Sequence, residues 1–179
     1  MTEFAVYVLF IQMLKQLLLI LSCLLFVQYT STAMVFKVFL REGIVGGFAG
    51  PTVKQVVEIS GDSNGAIVSH STLKQGSKFD YNQQSGDVTP QEIHTLMSDL
   101  HGQLKQLPLE NPIGSDDIYG RDISLGFFTD EFQWQNGGPE GCNRSPSSTQ
   151  ATDQQKAVFN ELVERVLSVS QKFAIKKQD

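Results

Sequence analysis

The residues with reactive chemistry to offer are few and scattered. Three histidines (His70, His94, His101), Cys142 and two adjacent acid pairs (Asp116-Asp117, Asp130-Glu131) are the candidates for catalysis or metal binding in this 179-residue chain. His94 and His101 stand seven apart in a stretch of helical periodicity, about 10 Å along the axis, too far for one tetrahedral zinc. Each histidine reads as a lone exposed side chain. Cys142 has no nearby histidine in a nucleophile arrangement, and no G-x-S-x-G elbow occurs. The acid pairs fall in turn-like sequence, where solvation accounts for them. No catalytic residue, metal site or cofactor is expected.

Recognition by shape is a different matter. Arg41-Glu42-Gly43-Ile44-Val45-Gly46-Gly47-Phe48-Ala49-Gly50-Pro51 holds four glycines in eight residues, directly after an alternating run of Phe36, Val38 and Leu40. Glycine permits positive φ and close backbone approach. The interleaved Ile, Val, Phe and Ala set the stretch apart from a flexible Gly/Ser linker. Its G-x-x-G-G spacing, followed by strand-like sequence, is not a phosphate-binding fingerprint. A shaped turn that presents Phe48 fits these residues, and so does a bulge whose Phe48 packs inward. A second recognition surface would be an aromatic strand made of Phe128, Phe132 and Trp134, residues that suit a core better.

The elements that would hold these residues can be read from periodicity. Strands are expected at Val35 to Glu42, Thr52 to Ser60 and Ala66 to Thr72, with a turn at Gly61-Asp62-Ser63-Asn64-Gly65 and a short strand at Ser77 to Asn82. Thr89-Pro90-Gln91-Glu92 is a capping box with proline at the first helical position. Ile93, Leu96, Met97, Leu100, Leu104 and Leu107 then form one apolar stripe, and Pro108 stops the helix. Asp122 to Thr129 alternates, and Phe132 and Trp134 continue the alternation, as a tight hairpin or one long bent strand. Gly137 to Thr152 reads as an exposed loop. A last helix starts near Thr152 and stripes Phe159, Leu162, Val163, Val166, Leu167 and Phe173. The expected fold is α+β: an antiparallel sheet with two amphipathic helices on one face, residues 34–179 forming one domain.

Composition narrows the partners. The chain is 41% hydrophobic and 18% charged, with net charge −5. It lacks a basic patch with interleaved aromatics, which argues against nucleic acid. Lys172 to Lys177 lies at a helix C-terminus, where cations complement the dipole. Residues 4–27 are almost wholly apolar and long enough to span a bilayer, yet a parse from Met13 fits better. Met-Leu-Lys-Gln, an apolar core from Leu17 to Val27, and then Ser31-Thr32-Ala33 have the order of a secretory signal with its cleavage site. Residues 1–33 are therefore read as a signal peptide. A membrane anchor through residues 4–27 is the second reading, and a cytoplasmic form starting at Met34 the third. Cleavage would remove Cys23 and leave Cys142 alone, either buried or free for an intermolecular bond. Asn143-Arg144-Ser145 is a glycosylation sequon, followed at once by Pro146.

The strand from Phe36, then Leu40-Arg41-Glu42-Gly43 and Gly46-Gly47-Phe48-Ala49-Gly50, resembles the opening of the emfourin family. These are small proteinaceous inhibitors of thermolysin-like zinc metallopeptidases such as protealysin. Members begin with a strand running into R-E-G-G-F-A-G, and continue with a second strand, a Pro-started helix, more strands and a terminal helix. The same order is expected here across Met34 to Phe173, while the detailed likeness covers about ten residues. Ile44-Val45-Gly46 stands as an insertion in the motif, and Gly61–Asp87 and Gly137–Thr152 are longer than a compact member needs. The resemblance implies an inhibitor that binds a thermolysin-like metallopeptidase without turnover. On that footing Arg41, Glu42, Gly43, Gly46, Gly47, Phe48, Ala49 and Gly50 are the expected partner-binding residues, with Phe48 as the apolar anchor. The alternative is a secreted, non-catalytic binding module that uses the aromatic strand.

Overall fold

The computed structural model describes residues 12–16, 35–45, 52–137 and 145–175. The chain divides into two units, Met1–Thr32 and Ala33–Asp179. Of the first, residues 12–16 are helical. The rest of the expected signal, with Cys23, lies outside the described residues, as do Cys142 and Asn143. Among the described residues, no helix is long and apolar enough to cross a membrane.

The second unit is an α+β domain on a six-stranded antiparallel sheet. In chain order the elements are β1 (Phe36–Glu42), β2 (Gln55–Asp62), β3 (Gly65–Leu73), β4 (Tyr81–Val88), α1 (Pro90–Leu104), β5 (Ile123–Thr129), β6 (Gln133–Gln135) and α2 (Asp153–Phe173). The sheet order is β4-β3-β2-β1-β5-β6, so β1 runs down the interior with β2 on one side and β5 on the other. Val38 sits between Ile59 and Phe127, and Leu40 between Val57 and Leu125. Side chains alternate across a strand, so this register stacks apolar residues on one face. The α1 residues Ile93, Leu96, Leu100 and Leu104 and the α2 residues Phe159, Leu162, Val163 and Val166 join them in a single core. Both helices therefore cover the same face.

Local chemistry accounts for the helix ends. Thr152 and Gln155 form a full reciprocal capping box, with Gln155 N donating to Thr152 Oγ1 at 3.2 Å and Thr152 N to Gln155 Oε1 at 2.9 Å. At α1 only half of the expected box is present. Glu92 N donates to Thr89 Oγ1 at 3.5 Å, but the Glu92 carboxylate pairs with Lys172 of α2 instead of returning to the cap.

Other expectations need correction. The fourth strand begins at Tyr81 and runs to Val88, later than expected, and Phe79 lies in the preceding turn at 87% exposure. The strand Tyr-Asn-Gln-Gln-Ser-Gly-Asp-Val is an edge strand of which Val88 alone is buried, so it carries no alternating apolar signal. Of the two readings left open for the 122–135 stretch, the hairpin is the one the chain forms. Asp122 stands just outside it, at φ +57.

Candidate functional site

The expected partner-binding residues fall at the end of β1. Arg41 and Glu42 are its last two residues, both half-buried. Gly43 follows with φ +92, and a Cβ there would lie 2.1 Å from the Thr52 carbonyl oxygen, so glycine is required twice over. Ile44 turns inward and is buried, whereas Val45 is half exposed. Gly46, Gly47, Phe48, Ala49 and Gly50 lie outside the described residues.

The stem of this connection is held by a residue far away in sequence. The Asp122 carbonyl accepts from Gly43 N at 2.9 Å and Ile44 N at 3.4 Å. Its Oδ1 accepts from Val45 N at 2.5 Å, and its Oδ2 from Lys54 Nζ at 3.0 Å. One aspartate thus grips both limbs of the connection. Its positive φ, which Asp tolerates better than most residues, aims carbonyl and carboxylate to the same side. The Asp122 amide in turn donates to Asp117 Oδ2 at 2.7 Å, which fixes the clasp to the loop before it. The hydrogen bond to Asp122, and then its charge, hold the Lys54 ammonium above its usual pKa, with Glu42 adding to the effect. The returning limb is closed by Lys54 N donating to Glu42 O at 2.9 Å.

Behind the stem a chain of hydrogen bonds runs into the domain. Gln55 Nε2 donates to Glu42 Oε2 at 2.6 Å, and Gln55 Oε1 faces His70 Nε2 at 2.9 Å. Because Gln55 spends its amide on Glu42, its oxygen must accept, which places the His70 proton on Nε2. His70 Nδ1 faces Ser170 Oγ of α2 at 3.4 Å. His70 is therefore buried, not exposed as its isolation in sequence suggested. It follows Ala66 and Val68 on the helix-facing side of β3.

A buried carboxylate supports the same corner. Glu110, 2% exposed, accepts from Gly114 N at 3.0 Å and Gly137 N at 2.6 Å. Gly137 abuts Ile44, since a Cβ on it would come 2.8 Å from Ile44 Cδ1. Burial, and then the Glu110 charge, push the Tyr119 hydroxyl well above the usual tyrosine range. Sequence reasoning missed Asp122, Lys54, Glu110 and Gly137. Asp122, two residues after Gly120 and just before an apolar strand, had the composition of a left-handed turn residue, but nothing local linked it to a segment some eighty residues earlier.

The other candidates separate. His94 and His101 are exposed along α1 and border a cavity of about 370 Å³, with Glu131 on the opposite wall. His101 packs edge-on against Phe132, ring centroids 5.2 Å apart. Among the described residues, no three histidine, cysteine or acid side chains converge as metal ligands would. The expected aromatic strand surface is also broken up. Trp134 is 5% exposed, packs near Phe159 and donates from Nε1 to the Leu107 carbonyl at 3.3 Å. Its alternation places it on the helix side, leaving Phe128 on the open face, beside Phe39 of β1. The arrangement at the corner is suited to holding a loop in place, and among the described residues there it shows no nucleophile-and-base pair. No protein-family model matches the chain, and no protein of curated function matches it.

Proposed function

We propose that this protein is a secreted, non-catalytic inhibitor whose β1–β2 connection occludes the cleft of a thermolysin-like zinc metallopeptidase. The observation that carries the reading is the Asp122 clasp, which ties Gly43, Ile44, Val45 and Lys54 to one residue. A connection whose stem is fixed beforehand loses less conformational entropy on association, so more of its contact energy appears as affinity. In this reading Phe48 enters the apolar pocket of the cleft. The amides of Gly46, Gly47, Ala49 and Gly50 pair with the cleft's edge strand, and Arg41 and Glu42 contact its rim. Secretion rests on the signal-like order of residues 13–33.

The test is residual activity of a panel of thermolysin-like peptidases titrated with the purified protein. Inhibition is expected for at least one of them. Asp122→Ala should weaken it about tenfold through a loosened stem, and Phe48→Ala should weaken it further, both without unfolding the domain. A folded protein that leaves the whole panel uninhibited at micromolar concentration refutes the reading.

A further inference from the structure

The sheet face opposite the helices carries a depression of about 640 Å³ with an aromatic ring at each end. At one end Phe39 and Phe128 lie nearly parallel, 8° apart with centroids separated by 6.0 Å. Their arrangement depends on Gly126, where a Cβ would come within 2.2 Å of Phe39 Cε1 and 2.8 Å of Phe128 Cε2. Both rings are half-buried, as expected of rings resting against the sheet. At the other end Tyr81 is pinned by its hydroxyl, which donates to the Val53 carbonyl at 2.9 Å. Between the rings the surface offers hydroxyls from Ser69 and Ser71, the Gln83 amide, and one group of each charge, Arg41 and Glu58.

We infer that this depression binds a neutral oligosaccharide. Sugar rings present apolar C–H faces to aromatic platforms and hydroxyls at their edges. The depression supplies both partners in that order, with its rings already held in place. Among the described lining residues the charged groups are Arg41 and Glu58, of opposite sign, and Glu58 is already paired with Lys37 at 3.7 Å, which suits an uncharged ligand. A polyanion such as nucleic acid is disfavoured further by the chain's charge of −5. An extended peptide is disfavoured by the backbone. Most of the floor lies over β1, β2 and β3, each already paired on both sides, so a peptide main chain could pair only along the outer edge of β4, at the Tyr81 and Gln83 margin. The site shares Arg41 with the loop reading, but its rings and its Ser69, Ser71 and Gln83 groups play no part in that reading, so it survives that reading's failure.

The experiment is titration calorimetry of the full chain with cello-, chito- and manno-oligosaccharides, alongside a polar unstructured peptide. Binding of at least one oligosaccharide is expected, weakened about three- to tenfold by Phe39→Ala and by Gln83→Ala. Both side chains lie outside the core, and the fluorescence of buried Trp134 reports whether each variant is folded. Three results overturn the inference: no binding across the panel at millimolar sugar, sugar binding unchanged in both folded variants, or binding of the peptide alone.

Discussion

The two faces of the sheet are built from the same strands and differ in nearly everything else. On the covered face Val38, Leu40, Val57, Ile59, Val68 and Leu125 are fully buried, and Phe127 is 1% exposed. On the open face their immediate neighbours are Lys37, Phe39, Glu58, Ser69 and Phe128, while Ile67 is 59% exposed. Alternation lets one strand serve both surfaces. The covered side sets the register, because a slip of one residue would turn every apolar side chain outward. The open side is released from that duty and can vary in chemistry without loss of the fold.

Adjacent phenylalanines make the strongest test of this contrast. Phe127→Ala opens a cavity in the core beside α1 and should cost about 3–5 kcal/mol, a large share of a domain's total stability. Phe128→Ala, one residue on, should cost no more than about 1 kcal/mol. Urea denaturation of the two variants reads the difference directly. Equal losses would mean that the open face is a second core, and the distinction between the faces would collapse.

Gly126 probes the open face from the backbone. An added Cβ meets the far ends of the Phe39 and Phe128 rings, which can swing away, and not a rigid backbone atom. Gly126→Ala should therefore shift stability by less than about 1 kcal/mol while displacing the ring pair. Ring-current shifts of Phe39 and Phe128 in the NMR spectrum would show this. A melting temperature that falls as far as that of Phe127→Ala would indicate that the rings are locked and that the face is structural.

The contrast also explains what could be read from the sequence. The strands with a strongly apolar side were legible: Phe36-Val38-Leu40, Val57-Ile59 and Ile123-Leu125-Phe127 as alternation, and both helices by stripe and cap. β4 was misplaced because its two sides are both largely wet, and polar alternation carries no signal. The corner was legible only in part. Gly43 could be read as a glycine needed for its backbone. The Asp122 clasp could not, because it is made by a contact seventy-seven residues long in sequence. His70 was misread for a related reason: a polar residue at a core position violates the pattern used to find the core.

That exception gives the smallest and most selective effect. His70 is a buried histidine on the covered face, meeting Gln55 from β2 and Ser170 from α2, with Gln84 opposite it on β4. None of these is charged, and the carboxylate of Glu42 is reached only through Gln55. Burial holds the His70 pKa below its usual value. The sign follows from linkage: below the unfolded histidine pKa of about 6.5 the unfolded chain takes up a proton that the folded chain refuses. Stability is thus fully present above about pH 6.5 and declines as the pH falls through that value toward the lower folded pKa. Denaturation midpoints measured from neutral pH down to the upper edge of carboxylate titration should fall, and His70→Gln should flatten the decline while keeping an amide donor toward Gln55. A decline that persists unchanged in the folded variant would refute the assignment of this pH dependence to His70.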